Sequence, residues 1–142
     1  MSNRRAGRAF ALQLLYAGDG DPSSDLATSA GAWASGFELE VDPEAEAFAR
    51  SLVAAAAERA MAIDELVSAS SKNWRLDRMS RVDRNILRLG ACELQAFSEV
   101  PVKVVINEAV ELAKRFGTAE SPAFVNGVLD RVAAALGRSP ES

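Results

Sequence analysis

The 142-residue sequence contains no histidine, one cysteine and few aromatic residues, which make up 6% of the chain. The absence of histidine excludes catalytic triads and general bases that use imidazole, together with most transition-metal sites. Because Cys92 is the lone cysteine, an internal disulfide is excluded, which fits a reducing cytoplasm. Glycine-rich phosphate loops are missing as well, and no spacing of carboxylates indicates catalysis. The residues therefore indicate no metal site and no cofactor, and catalysis by carboxylates alone is the class of enzymatic activity that they leave open.

Long apolar segments are also missing. No run reaches the roughly 18 apolar residues that a membrane-spanning helix needs. The basic amino end lacks the apolar region and small-residue cleavage site of a signal peptide, so we expect a cytoplasmic protein without a membrane role. With 49% hydrophobic and 25% charged residues, the composition is that of an ordinary globular protein. We expect residues 1–142 to form a single domain.

Charge is unevenly distributed along the chain, whose net charge is −4. Residues 1–18 contain three basic and no acidic residues, and residues 72–90 contain six basic and two acidic ones. Residues 19–71, in contrast, contain eleven acidic and two basic residues. An acidic body repels nucleic acid, so the two basic islands would confine any such contact to one surface.

Helix signals dominate the pattern of apolar residues and predict an all-α bundle of six or seven helices. Asp42 and Ser80 are candidate amino-terminal caps, and Ser121-Pro122 repeats the cap-plus-proline pattern. Glycines at the ends of apolar stripes predict helix ends. The predicted helices cover residues 4–17, 26–37 (weakly), 43–70 (as one helix or two joined at a kink), 81–97, 101–116 with a left-handed cap at Gly117, and 121–136 with a stop at Gly137.

The first predicted helix carries Arg4, Arg5 and Arg8 on one side, together with Leu12 and Leu15. This pattern predicts that the second half of the helix is core and that the first two turns project the arginines into solvent. Basic residues at the amino end of a helix are unfavourable, because the helix dipole favours acidic residues there. The charge pattern alone leaves two alternatives open, a solvated helix end and a contact with a partner.

The second basic island places Arg81, Arg84 and Arg88 on one face of a predicted helix. The pattern favours a solvated face, and Asp83 would serve as a counter-charge among these bases. Cys92 lies in an apolar helix and is predicted to be inert.

The aromatic residues allow several interpretations. Phe124 lies about 100° from the centre of the last apolar stripe, so it is either a staple under the preceding loop or an exposed ring that can stack on a base. Trp33 and Trp74 are interpreted as packing residues. Tyr16, at the end of the first helix, packs while leaving its hydroxyl at the surface.

Four segments together resemble the NusB family of bacterial transcription antitermination factors, and the resemblance is weakest over residues 18–42. Their spacing is specific, above all the separation between the third and the fourth segment. The segments are RRAGRAFALQLLY at 4–16, RVDRNILRLGACEL at 81–94, EVPVKVVINEAVELAKRFG at 99–117 and FVNGVLDRV at 124–132.

The resemblance implies an all-helical protein with an amino-terminal and a carboxy-terminal helical subdomain. It implies a non-catalytic factor that binds boxA-type single-stranded RNA, chiefly in transcripts of ribosomal RNA operons. The implied partners are NusE, which is a small-subunit ribosomal protein, and RNA polymerase with NusA and NusG. Some family members self-associate, so the resemblance leaves open whether the free protein is a monomer or a homodimer.

The same resemblance implies roles for particular residues. The family's RNA-facing residues correspond here to Arg4, Arg5, Arg8, Glu120, Ser121 and Phe124. The NusE-facing residues correspond to Tyr16 and Asp83. Gly7 lies inside the arginine motif, where glycine costs about 1 kcal/mol of helix stability relative to alanine, so we expect a loosened helix end.

Two alternatives of other classes remain at this point. NusB-like domains occur fused to RNA methyltransferases, although we expect no cofactor-binding domain in a chain of this length. A helical scaffold that binds only proteins is the other alternative.

Overall fold

The protein was analysed as a computed structural model that describes residues 3–19, 42–72 and 74–139. Within these ranges the regular structure is entirely helical, with six α-helices, one short 3-10 helix and no strand. The predicted all-α class is therefore confirmed. The chain divides into two compact units, one ending at Glu58 and the other beginning at Arg59. The weak helix predicted at 26–37, with Trp33, lies outside the described residues.

The first unit contains helices α1 (Asn3–Gly18) and α2 (Pro43–Glu58), which pack against each other. As predicted, Asp42 starts α2, because its Oδ1 accepts a hydrogen bond from the backbone N–H of Glu44 at 2.9 Å. Acidic residues in the first turn of α2 complement the positive end of the helix dipole. The buried apolar residues of these two helices are Ala9, Phe10, Ala11, Leu12, Leu14, Leu15, Ala45, Ala49, Leu52, Val53 and Ala56.

The second unit is built around one central helix. Its elements are α3 (Ala60–Ser70), a 3-10 helix (Leu76–Arg78), α4 (Arg81–Ala96), α5 (Val102–Phe116) and α6 (Ser121–Ala135). Helix α4 contacts α3, α5 and α6, and α6 also contacts α3 and α5. Residues on α4 that are buried include Ile86, Leu87, Leu89, Ala91, Cys92 and Leu94.

The alanine-rich stretch between residues 43 and 70 forms two helices rather than one. The break falls at Arg59, whose backbone angles of φ −111° and ψ 17° leave the helical region. It coincides with the boundary between the two units.

Helices α4 and α6 approach each other closely at Gly90. A Cβ atom on this residue would lie 2.7 Å from Cδ1 of Leu129, a side chain that is fully buried. Only a residue without a side chain allows this approach, so Gly90 helps to set the distance between the two helices.

Two of the predicted helix signals are confirmed in detail. The Ser80 hydroxyl accepts a hydrogen bond from the backbone N–H of Asp83 at 3.1 Å, as a cap does. Gly137 has a positive φ of 73°, and the N–H groups of Gly137 and Arg138 donate to the carbonyl oxygens of Ala134 and Ala133. This pair of bonds is the Schellman arrangement that closes a helix carboxyl end.

The expected left-handed cap at Gly117 is wrong. Gly117 has φ −97° and ψ −164°, which is extended backbone that any residue adopts. A Cβ atom at this position would lie 2.5 Å from Oγ of Ser121, so glycine is needed here for close contact.

The expected amino-terminal cap of α6 at Ser121 is also wrong. Ser121 is the first residue of the helix, and Glu120 precedes it without a side-chain cap bond. The Ser121 hydroxyl instead accepts a hydrogen bond from the backbone N–H of Thr118 at 2.9 Å, which closes the loop before α6.

Two glycine substitutions test the close approach of α4 and α6. Gly90→Ala should lower the free energy of unfolding by about 1–3 kcal/mol, because the new methyl group overpacks the core against Leu129. Gly127→Ala is the matched control on α6, where the nearest atom to a new Cβ is a flexible arginine nitrogen at 3.7 Å. It should raise stability by about 1 kcal/mol through helix propensity. Urea unfolding measures both, and a Gly90→Ala variant as stable as the parent would contradict this packing.

Candidate nucleic-acid interface

The three arginines of α1 have different environments. Arg4 and Arg5 are exposed, whereas only 4% of Arg8 is exposed. The prediction that all three project into solvent is therefore wrong for Arg8. The two arginines share an aromatic neighbour on α2: the guanidinium carbons of Arg4 and Arg8 lie over the Phe48 ring, 4.9 and 5.4 Å from its centre. Both distances are within the range of cation–π attraction.

Gly7 has a packing role that the sequence did not reveal. A Cβ atom on Gly7 would lie 2.9 Å from Cδ2 of Phe48 and 2.8 Å from the carbonyl oxygen of Ala45. The missing side chain lets α2 approach α1 beside the arginines. Helix α1 is continuous from Asn3 to Gly18.

Tyr16 lies in the last turn of α1 and is 38% exposed. This exposure agrees with the expectation that Tyr16 packs while remaining at the surface. The position of Tyr16 does not test the prediction that this residue contacts a protein partner.

In the second unit, a cavity of about 380 Å³ lies where α4 and α6 begin. We call this cavity the aromatic cleft; it is lined by Trp74, Arg78, Met79, Ser80, Asp83, Glu120 and Phe124. The cleft brings together two of the predicted RNA-facing residues, Glu120 and Phe124, with Asp83, which is predicted to face a protein partner.

Phe124 and Trp74 form the aromatic part of the cleft. Their ring centres are 6.4 Å apart and their planes meet at 73°, an edge-to-face pair. Trp74 is 55% exposed, so it is an edge residue of the surface rather than a core residue. Phe124 is half-buried, so it neither joins the core stripe of α6 nor stands free of neighbours. Each ring therefore keeps surface available to a ligand while the other ring supports it.

Asp83 is half-buried in the first turn of α4. Its Oδ1 atom is inaccessible to solvent and has no hydrogen-bond partner among the described residues. Among the described residues, no arginine lies within ion-pair distance of its carboxylate. A buried acceptor without a partner is costly, and a donor from a binding partner would relieve this cost.

Glu120 and Ser121 differ in accessibility. Glu120 is exposed, whereas Ser121 is 1% exposed and its hydroxyl bonds to Thr118. The prediction that Ser121 faces RNA is at odds with this burial, because its side chain is occupied in shaping the loop. Glu120 remains accessible at the cleft.

The second basic island is only partly a solvated face. Arg81 is exposed, but Arg84 donates hydrogen bonds to two backbone carbonyl groups of the preceding segment. Arg88 binds Asp64 of α3 through two nitrogens, at 2.8 and 3.1 Å. The expectation of a solvated face is therefore wrong for Arg84 and Arg88, which hold elements of the second unit together. A contact through two nitrogens at once suits the planar guanidinium group of arginine.

Cys92 is buried, and the loss of solvent there raises the pKa of its thiol to about 11. The charge of Arg59 acts in the opposite direction, and that of Glu93 adds to the rise. The thiol therefore stays protonated at neutral pH, which agrees with the prediction that it is inert. Among the residues that the structure describes, no three acidic, cysteine or histidine side chains are grouped as a metal site.

None of the described helices combines the length and the apolar character needed to cross a membrane.

Two residues of these surfaces were missed in the sequence. Phe48 is the one aromatic residue in the alanine-rich helix α2. A phenylalanine among alanines indicates a specific packing or binding contact rather than a residue chosen for helix propensity. Trp74 lies in a connecting segment between basic residues. An aromatic residue next to basic ones is typical of surfaces that bind nucleic acid.

Known proteins similar to this chain were found at the levels of family, sequence and structure. The model of the NusB family matches residues 5–134. The chain is 52% identical to the transcription antitermination protein NusB of Sorangium cellulosum over 138 residues, covering 97% of this chain and 96% of the relative. It is 50% identical to the protein of the same name from Myxococcus xanthus over 139 residues, covering 97% and 99%.

Solved structures show the same fold. T. maritima NusB superimposes with a TM-score of 0.83 at 37% identity, covering 92% of this chain and 90% of the other. A crystal structure of antitermination factors NusB and NusE in complex with dsRNA gives a TM-score of 0.80 at 27% identity, covering 95% and 98%. The match of the family model and the identity to these relatives both extend over nearly the whole chain. The chain therefore belongs to the NusB family.

Proposed function

We propose that this protein is a transcription antitermination factor that binds boxA-type RNA of nascent ribosomal RNA transcripts together with NusE. The observation that carries the proposal is the full-length similarity to proteins named for antitermination, at about half of all positions. The protein acts by binding in the cytoplasm, where transcription takes place, in a complex with RNA polymerase, NusA and NusG.

The exposed end of α1 supports the RNA contact. Arg4 and Arg5 are exposed there, and none of the residues in the first turn of α1 is acidic. Arginines bind phosphate through several N–H groups, and each neutralised phosphate releases counterions. This end of the helix therefore supplies affinity that depends on salt but little on sequence.

The aromatic cleft supports a contact with RNA bases. Its Trp74 and Phe124 rings offer faces or edges on which an unstacked base can pack, as bases of single-stranded RNA do. Two carboxylates, of Glu120 and Asp83, line the cleft together with the guanidinium of Arg78. The cleft therefore offers both acceptors and donors of hydrogen bonds to the edge of a base.

Tyr16 and Asp83 are the residues that we assign to the NusE contact. Tyr16 is exposed, and Asp83 holds a buried oxygen without a partner among the described residues. Asp83 lies in the cleft with Phe124, so in the second unit the protein partner and the RNA meet at one cleft.

Equilibrium binding tests the proposed function directly. The protein should bind a boxA-like RNA more tightly than a scrambled RNA of the same composition, and NusE should increase this preference. Equal affinity for the two RNAs, with and without NusE, would contradict the proposal.

Phe124→Ala separates RNA stacking from internal packing. The variant should lose about 1–3 kcal/mol of RNA-binding free energy, while its thermal midpoint stays near that of the parent. The control is Val104→Ala, which shortens an exposed apolar side chain on α5 and should change neither quantity. A clear loss of thermal stability with unchanged RNA affinity would assign Phe124 to packing instead.

Asp83→Lys tests the partner contact. The reversed charge should weaken NusE binding, because a basic side chain replaces an acceptor in the cleft. Asp130→Lys, the same change at an exposed position of α6, is the matched control. Titration calorimetry with NusE measures both variants, and equal NusE affinity for the two would remove Asp83 from the interface.

A further inference from the structure

Phe48 connects the arginines of α1 to the surface of α2. The guanidinium carbons of Arg4 and Arg8 lie 4.9 and 5.4 Å from the centre of its ring. Residues 4, 7 and 8 share one face of a helix, so the ring lies beside the surface on which the two arginines and Gly7 are found.

Gly7 is the reason that the ring can lie there. A side chain at this position would collide with Phe48 and with the backbone of Ala45, as the 2.9 and 2.8 Å distances show. Like charges four residues apart on a helix repel each other. The negative face of the ring attracts both guanidinium groups and so offsets this repulsion.

The two arginines differ in what they can still bind. Arg4 is exposed, and a guanidinium stacked on a ring keeps its in-plane N–H groups available for a phosphate. Its side chain is also ordered before binding, so less rotamer freedom is lost when RNA binds. Arg8 is 4% exposed and lies over the same ring, so its guanidinium is held inside the protein surface.

We propose that Phe48 is a positioning residue for RNA binding, which holds Arg4 ready for a phosphate, and that Arg8 supports this arrangement without neutralising a phosphate itself. This inference rests on the proposed RNA-binding function. It differs from the role that similarity alone would give to Arg8, which is a direct RNA contact.

The salt dependence of binding tests the role of each arginine. Arg4→Ala and Arg5→Ala should each flatten the slope of log K against log salt for a boxA-like RNA by about 0.7, the value for one phosphate on a single strand. Arg8→Met removes the charge but keeps an apolar stem of similar length, so it should leave the slope unchanged. An Arg8→Met slope that flattens as much as that of Arg4→Ala would overturn the assignment of Arg8.

A double-mutant cycle tests the role of Phe48. Phe48→Leu should weaken RNA binding about two- to five-fold, and Phe48→Tyr, which keeps the ring, should restore it. In the Phe48→Leu background, Arg4→Ala should cost less than it does in the parent, because the two residues act together. Arg5→Ala is the comparison: residue 5 lies about 100° around the helix from residue 4, so its cost should change less between the two backgrounds than the cost of Arg4→Ala.

A control separates positioning from general loss of structure. Val53→Ala shortens a buried side chain of α2 and should lower the thermal midpoint without changing RNA affinity or the Arg4 coupling. Additive effects of Phe48→Leu and Arg4→Ala, with specific RNA binding by the parent, would overturn this inference and leave the proposed function intact. A parent protein that does not distinguish boxA-like from scrambled RNA would overturn both.

Discussion

The burial of α4 is the constraint on which the second unit depends. This helix is covered by α3, α5 and α6, and its approach to α6 is limited by Gly90 against Leu129. Both helices begin at the aromatic cleft, with Ser80 capping α4 and Phe124 in the first turn of α6. Packing between the two helices therefore fixes the distance between Asp83 and Phe124. A binding site built on the ends of packed helices is more rigid than one built on loops.

The first unit uses the same principle with one pair of helices. The close approach of α1 and α2 at Gly7 brings Phe48 beside the arginines. In both units a glycine permits the close contact between two helices that carry candidate functional side chains. Long charged side chains would otherwise sample many rotamers, and ordering them is a cost of binding.

Much of the fold could be predicted because helix ends have local causes. The caps at Asp42 and Ser80 and the stop at Gly137 depend on residues within a few positions, and all three are present. The same local rules predicted caps at Gly117 and Ser121, and both predictions were wrong. The conformation of each of these residues depends on its contact with the other. A sequence pattern shows neither such a contact nor the space that it needs.

The candidate site shows the same limit. Charge patterns identified the arginines of α1, but they could not show that Arg8 is buried or that it lies over the ring of Phe48, forty residues further on. Arg88 was likewise read as a surface charge, and its partner Asp64 lies on another helix. Phe124 was identified because its position off the apolar stripe is a property of one helix, whereas its partner Trp74 belongs to a connection with no periodic pattern.

The central claim is that RNA is bound by the exposed end of α1 and by the aromatic cleft. Backbone and indole N–H chemical shifts, followed by nuclear magnetic resonance during titration with a boxA-like RNA, test it most directly. Binding at these two surfaces predicts shifts at residues 4–8, at residues 120, 121, 123 and 124 and at the Trp74 indole, with little change around the exposed Lys103 and Lys114 of α5. Shifts confined to α5, or shifts in the aromatic cleft that are equal with a scrambled RNA, would contradict it.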